Sequence, residues 1–251
     1  MAGAGRLWGR GKVLLVLGAL AFGAGLYLTV GPVAQGTAGE SLTAQLPAAT
    51  VLAATTERIG ADDVRDALEG SVLLTQVEAC GVVRQGTTTL LATSEGVVGF
   101  TNAHVVRGAG SVRLMGAGLG VGEGTVQRFL QGRDAAEIDL TAMANRPDDA
   151  LEVAEVPPIG TEVYTAGFPG GAWRIGKGTL VALEQRQGWG GQGTVLVVDI
   201  PAEEGISGGV VVDGSGRAVG LIAARDPSTG YTIAHRVDDL FTRAVTSPPL
   251  C

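Results

Sequence analysis

The chain has 251 residues, 18 basic and 25 acidic side chains and a formal net charge of −7, and it is 45% hydrophobic but only 17% charged. This composition excludes a disordered polyelectrolyte, and 41 glycines without a three-residue repeat exclude a collagen-like chain. Because only 4% of the residues are aromatic, the core must consist mainly of aliphatic side chains, whose β-branched members favour sheets. The excess of acidic groups argues against a nucleic-acid-binding surface.

An uncharged stretch, VLLVLGALAFGAGLYLTV, occupies residues 13–30 and follows three cations and no acid. At about 1.5 Å per residue it is close to the thickness of the hydrocarbon core of a bilayer. The flanking charge predicts a cytoplasmic tail at 1–12, a transmembrane helix at 13–31 and an extracytoplasmic remainder. A small-residue tract at 36–38 leaves a cleaved signal peptide as the alternative.

The segment 32–58 is rich in small residues and has no hydrophobic period, which is typical of a linker. We therefore expect one folded domain at 59–251. It begins with a short helix at 62–70, where acidic residues lie in the first turn and a glycine ends it.

From residue 71 onward, about a dozen short strands alternate with turn residues, which predicts antiparallel barrels or sandwiches. They fall into two groups, at about 71–145 and 156–240, separated by an acidic, proline-containing linker at 146–158. The pattern around Asp213 and Gly214 predicts a hairpin. A second helical candidate spans 237–245.

Three residues in the order His, Asp, Ser carry the chemistry that the sequence indicates. His104 follows an apolar strand, Asp139 lies between two apolar neighbours, and Ser207 lies within a run of glycines. A serine hydroxyl becomes a nucleophile when an imidazole takes its proton, and a buried carboxylate orients that imidazole. We therefore expect His104 as general base, Asp139 as orienting acid and Ser207 as nucleophile.

The glycines around Ser207 predict a backbone turn in which amide groups converge on one point. The amides of Gly205 and Ser207 would then bind the oxyanion of the reacting carbonyl, a contribution of about 3 to 4 kcal/mol per donor. Asp134 competes with Asp139 as the acid, but its polar surroundings favour a position on the surface. His235 lies in an apolar strand, where we expect a packed polar residue. Because the chain has only two histidines and two cysteines, we expect no metal site.

The elements TNAHV at 101–105, DL at 139–140 and GISGG at 205–209 together resemble the chymotrypsin-fold serine peptidases. The resemblance is to the bacterial HtrA/Deg-like branch without its PDZ domain, and it covers roughly 71–245. It implies an all-β fold of two six-stranded antiparallel β-barrels, with the active site between them.

The same resemblance implies a specificity pocket. Its residues would be Pro201, six positions before the nucleophile, and Leu221, Ile222 and Ala223 on the opposite wall. These side chains predict a preference for a small or medium apolar residue before the cleaved bond.

The chain contains two cysteines, Cys80 and Cys251, which could form a disulfide bond outside the cytoplasm. An end-to-start bridge of this kind also resembles the MarP-type membrane-anchored bacterial proteases. The alternative is a buried thiol at position 80 and a free thiol at the end of the chain.

The sequence as a whole predicts a membrane-anchored extracytoplasmic serine endopeptidase that cleaves polypeptides through an acyl-enzyme. We expect no cofactor, no nucleic acid, and contact with the lipid bilayer through residues 13–30. The alternative function is a catalytically silent binding or sensing protein that keeps the peptidase fold.

Overall fold

The computed structural model describes residues 61–116, 120–143, 149–187, 193–241 and 245–246. The segment predicted to cross the membrane, the linker at 32–58 and Cys251 lie outside the described residues, so those expectations stay predictions. Within the described ranges, no helix is long and apolar enough to span a membrane.

The first barrel is built from the strands that follow helix α1 (Ala61–Ser71). A four-residue helix, α2 (Ala103–Val106), interrupts them after the third strand. Their bounds are β1 (Val72–Ala79), β2 (Val82–Thr93), β3 (Gly96–Thr101), β4 (Ser111–Gly116), β5 (Gly120–Leu130) and β6 (Ala136–Asp139). The order β5-β4-β1-β2-β3-β6 closes on itself because β5 also pairs with β6. The predicted first barrel is therefore confirmed.

The second barrel is closed in the order β10-β11-β12-β9-β8-β7. Its strands are β7 (Glu162–Gly167), β8 (Arg174–Arg186), β9 (Gly193–Pro201), β10 (Val210–Val212), β11 (Ala218–Arg225) and β12 (Tyr231–Arg236). The hairpin predicted near Asp213 joins β10 to β11. The Asp213 carboxylate stabilises its turn by accepting hydrogen bonds from the amides of Ser215, at 2.9 Å, and Arg217, at 3.0 Å.

The helix predicted at 237–245 is wrong. The described residues 237–241 form turns, and the two-residue strand β13 (Val245–Thr246) pairs with β5 of the first barrel. Val237 and Leu240 are buried in one hydrophobic cluster, so their spacing of three reflects packing in a turn and not a helical period.

Strand β2 is buried on both faces because each face meets a different core. Leu90 belongs to the cluster inside the first barrel, whereas its neighbour Leu91 belongs to a cluster that includes Tyr164 and Val210 of the second barrel. Side chains alternate across a strand, so this one strand packs against both barrels. Burying each leucine contributes about 1.5 to 3 kcal/mol.

The connection between the barrels is attached to both of them. Leu151 pairs with Leu91 of β2, and Val153 pairs with Ala218 of β11. The amide of Ala218 also donates to the carbonyl of Glu152 at 2.8 Å. The linker predicted at this point therefore contributes backbone hydrogen bonds to each barrel.

Gly208 lies where the second barrel presses against β2 of the first. Its φ is +84°, and a Cβ atom there would lie 2.0 Å from the carbonyl oxygen of Thr87 and 2.6 Å from Oγ1 of Thr101. Any L-residue at this position therefore meets both backbone strain and backbone overlap.

We expect Gly208→Ala to lower the free energy of unfolding by about 3 kcal/mol or more, because neither Thr87 nor the loop can move away. The matched control is Gly214→Ala, since a Cβ at Gly214 would meet nothing within 4 Å. That variant should stay within about 1 kcal/mol of the wild type in chemical denaturation. Equal losses in the two variants would contradict the argument.

Candidate active site

Helix α2 presents His104 at the rim of the first barrel. Val105 and Val106 are buried and anchor the helix, whereas the side chain of His104 is 46% exposed. Arg84 of β2 donates from Nε to the carbonyl of Val105 at 3.0 Å and also donates to the carbonyl of Arg107. A guanidinium group therefore holds the carboxyl end of the turn that carries the imidazole.

Asp134, in the loop between β5 and β6, contacts His104 at two points. Its Oδ2 lies 2.5 Å from Nδ1 of the imidazole, and its Oδ1 accepts the backbone amide of His104 at 2.9 Å. Asn102 completes the arrangement by donating from Nδ2 to the carbonyl of Asp134 at 2.7 Å. The imidazole is therefore oriented through one nitrogen, which leaves the other nitrogen for chemistry.

The charge state of Asp134 reflects two opposing effects. Burial raises the pKa of the carboxyl, but the hydrogen bonds and charge of His104, with a smaller charge effect from His235, bring that pKa below its usual value. Asp134 is therefore ionised at neutral pH. An ionised carboxylate at this position favours the tautomer with the proton on Nδ1 and stabilises an imidazolium that forms during reaction.

The assignment of Asp139 as the orienting acid is corrected by this geometry. Asp139 ends strand β6, and its Oδ1 accepts the amide of Thr141 at 2.8 Å in a local turn. Asp134 contacts His104 instead. The apolar neighbours of Asp139 reflect burial of β6 in the first barrel and carry no information about the imidazole.

The polar surroundings that favour a surface position for Asp134 in the sequence are Gly132 and Arg133, which precede it. In the structure, however, the Arg133 side chain is 0% exposed and pairs with the carboxylate of Asp239. The polar neighbour of Asp134 is therefore a buried guanidinium that joins the loop to the turn following β12. The arginine beside Asp134 therefore indicates a buried ion pair and not solvent exposure.

The loop that carries Ser207 is fixed by backbone hydrogen bonds to both barrels. The carbonyl oxygen of Ser207 accepts a hydrogen bond of 2.8 Å from the amide of Thr87 in β2. The next residue, Gly208, donates to the carbonyl of Ile222 of β11 at 2.8 Å. Within the described residues, the Ser207 hydroxyl itself has no hydrogen-bond partner, and contacts of catalytic hydroxyls commonly tighten only when substrate binds.

Gly86 of β2 is the point at which the histidine and serine segments meet. A Cβ atom on Gly86 would lie 2.9 Å from both methyl groups of Val105, next to His104, and 3.1 Å from the carbonyl oxygen of Ser207. A side chain at this position would push the two segments apart. The glycine therefore allows the two predicted catalytic residues to come from neighbouring backbone segments.

The peptide group between Glu204 and Gly205 has a defined orientation. The carbonyl of Glu204 accepts the amide of Gly170 at 2.9 Å. Because N–H and C=O point in opposite directions across a trans peptide, the N–H of Gly205 points away from Gly170. Among the described residues, the amides of Gly205 and Ser207 donate to no protein acceptor.

The residues predicted to line a specificity pocket do not share one environment. Leu221 is buried in the cluster between the barrels, and Ile222 is buried in the cluster inside the second barrel. These two side chains therefore point to opposite faces of β11 and do not line one wall. Ala223 is 5% exposed, whereas Pro201 is exposed at the end of β9.

The two barrels, with a histidine–aspartate pair and a glycine-framed serine where they meet, define the class of chymotrypsin-like peptidases. The family model described as a trypsin-like peptidase domain matches residues 86–221, which is more than half of the chain. The chain therefore belongs to this family.

Solved structures of proteases have the same fold. The Rv3671c protease from M. tuberculosis in its active form is 23% identical, with a TM-score of 0.65, and the match covers 75% of this chain and 88% of that chain. The HtrA-type protease AlgW with a tripeptide is 20% identical, with a TM-score of 0.61 and coverage of 71% and 60%. The serine endoprotease from Yersinia pestis is 17% identical, with a TM-score of 0.60 and coverage of 73% and 65%. No curated protein matches the sequence.

We expect Asp134→Asn to lower kcat by about 10⁴-fold, because a neutral amide neither fixes the tautomer of His104 nor stabilises its protonated form. Asp139→Asn is the matched control and should keep kcat near the wild-type value. Hydrolysis of a fluorogenic peptide by both variants measures the difference. A large loss in the Asp139 variant alone would restore the assignment made from the sequence.

Proposed function

We propose that this protein is a serine endopeptidase that cleaves polypeptides through an acyl-enzyme. The observation that carries the proposal is the double contact of Asp134 with His104, at Nδ1 and at the backbone amide. An imidazole held in this way has its second nitrogen available as a base. Ser207 lies in the loop that β2 brings beside α2, and it is the nucleophile that this base serves.

In the proposed reaction, Nε2 of His104 accepts the proton of the Ser207 hydroxyl while Oγ forms a bond to the carbonyl carbon of the peptide. The C–N bond of the substrate then breaks, and the imidazolium returns the proton to the departing amine. A water molecule hydrolyses the resulting ester, again with His104 as base. Asp134 stabilises the imidazolium in both halves of the reaction.

The amides of Gly205 and Ser207 are the proposed oxyanion hole. The orientation of the Glu204–Gly205 peptide supports this role because it turns the Gly205 N–H away from the turn at Gly170. Each such donor contributes about 3 to 4 kcal/mol to the transition state. Gly205 itself has φ +94°, and a Cβ there would lie 2.7 Å from the carbonyl oxygen of Phe168, so a glycine is required.

A polypeptide substrate follows from the proposed chemistry, and the similar protease AlgW has been solved with a tripeptide and a decapeptide. The preference for a small or medium apolar residue stays part of the proposal. Ala223 of the predicted pocket is 5% exposed and lies beside a register shift in β11.

The proposed location is the extracytoplasmic face of a cell membrane, with residues 13–30 as a single-pass anchor. The length of this uncharged stretch and the cations before it support the proposal. A Cys80–Cys251 disulfide belongs to the same proposal because disulfides form in such compartments. Cys80 lies exposed at the turn between β1 and β2.

We expect protease added to intact cells to digest a carboxyl-terminal epitope and to leave an amino-terminal epitope protected, because only the latter lies in the cytoplasm. Cells permeabilised before digestion are the control, in which both epitopes are lost. Protection of the carboxyl-terminal epitope in intact cells would overturn the proposed topology.

We expect a fluorophosphonate probe to label the wild-type protein and to leave Ser207→Ala unlabelled, because the probe reacts with an activated serine hydroxyl. Ser215→Ala, a serine in the β10–β11 turn, is the control and should label normally. Failure of the folded wild-type protein to react, with and without added peptides, would favour the alternative of a catalytically silent binding protein.

A further inference from the structure

Thr87 of β2 makes three hydrogen bonds that cross from the first barrel to the second. Its backbone amide donates to the carbonyl of Ser207 at 2.8 Å. Its hydroxyl donates to the carbonyl of Gly205 at 3.0 Å and accepts the amide of Phe168 at 3.0 Å. The residue is fully buried, so these groups have no water to replace a lost partner.

The two carbonyls that flank the Gly205 amide are thus held from two directions. Gly170 binds the carbonyl of Glu204, on one side of that amide, and Thr87 binds the carbonyl of Gly205, on the other. Phe168, the second partner of the Thr87 hydroxyl, begins the turn that contains Gly170. One hydroxyl therefore joins the nucleophile loop to the turn that orients it.

Gly205 needs such support because a glycine can adopt many backbone conformations. Its φ of +94° is one of several that glycine tolerates, so the residue itself does not determine which way its N–H points. The orientation depends on the partners of the neighbouring carbonyl groups. The Gly170 contact holds the Glu204–Gly205 peptide directly, whereas the Thr87 contact holds the next peptide, Gly205–Ile206, and so limits rotation about the backbone of Gly205.

We propose that Thr87 is a positioning residue whose hydroxyl keeps the oxyanion-binding amide of Gly205 in its active orientation. The role rests on the proposed function, because it acts through an amide assigned there to the oxyanion hole. Thr87 touches no reacting atom in this account. Its effect is on the transition state, where the oxyanion carries charge, and not on binding of the uncharged ground-state carbonyl.

The neighbouring Thr88 provides a matched control on the same strand. It is equally buried, but its hydroxyl lies 2.6 Å from that of Thr75 on β1, on the opposite face of β2. Thr88→Val and Thr87→Val therefore remove the same atoms from adjacent buried positions. Thr87→Ser, by contrast, keeps the hydroxyl and removes only a methyl group.

The experiment measures kcat and KM for a fluorogenic peptide and the rate of fluorophosphonate labelling in the three variants and the wild type. We expect Thr87→Val to lower kcat and the labelling rate by about 10- to 100-fold with little change in KM, a loss smaller than that for complete removal of an oxyanion donor. Thr87→Ser should recover most of the activity. Thr88→Val should keep wild-type kinetics even if its melting temperature falls.

Three results would overturn the inference in distinguishable ways. If the wild type labels and Thr87→Val keeps its kcat and labelling rate, the positioning role is wrong while the peptidase assignment stands. If Thr88→Val loses as much kcat as Thr87→Val at equal thermal stability, the loss reflects general disruption of β2, which also overturns the role. If the folded wild type does not label at all, the proposed function fails, and the role of Thr87 fails with it.

Discussion

The active site depends on one stretch of β2, residues 86–91, which is buried along its whole length between two barrels. A buried hydroxyl must find a hydrogen-bond partner, because leaving it unsatisfied costs about 1 to 3 kcal/mol. On the face toward the second barrel, Thr87 and Thr89 find theirs in the carbonyls of Gly205 and Gly208, in the loop that carries Ser207. The requirement to satisfy buried polar groups therefore sets the register between the barrels, and a shift of one residue would point both hydroxyls away from these carbonyls.

The contact between β2 and the Ser207 loop is also constrained by the lack of space for side chains next to Ser207. A Cβ at Gly208 would overlap the Thr87 carbonyl of the first barrel, and one at Gly209 would lie 2.4 Å from the Ala166 carbonyl of the second. The glycines on this side of Ser207 therefore serve as points of close approach for two different strands. They let the nucleophile loop fit between β2 and β7, which a loop with larger side chains could not do.

The parts of the site that sequence reasoning found are those determined over short stretches of chain. The glycines beside Ser207 and the turn at Asp213 follow from local backbone geometry, which the residue types reveal directly. The partner of His104 does not, because the loop of Asp134 reaches the imidazole only through the pairing of β3 with β6. The apolar neighbours of Asp139 are buried, but Asp139 itself is only half-buried, and apolar neighbours alone do not identify which carboxylate faces the ring.

The contacts of Thr87 could not be predicted from the sequence, because they also join segments that are distant along the chain. Its hydroxyl joins residues 81 and 118 positions away along the chain, and nothing near Thr87 distinguishes it from Thr88, which faces the other core. A run of three threonines indicates a strand, but the face of each hydroxyl follows from strand register. The register of β2 against the second barrel is set by the closure of both barrels and not by the residues near Thr87.

The loops of the acid and of the nucleophile are each attached to the opposite side of the contact between the barrels. The loop of Asp134 belongs to the first barrel, yet Arg133 attaches it to Asp239, in the turn that follows β12 of the second, through a guanidinium that is 0% exposed. Ser207 belongs to the second barrel, yet Thr87 attaches its loop to the first. Breaking an ion pair of a buried guanidinium costs several kcal/mol, so this pair stabilises the docked position of the Asp134 loop. Because each barrel holds the reactive loop of the other, separating the barrels would displace acid and nucleophile together, and the site can exist only in the docked molecule.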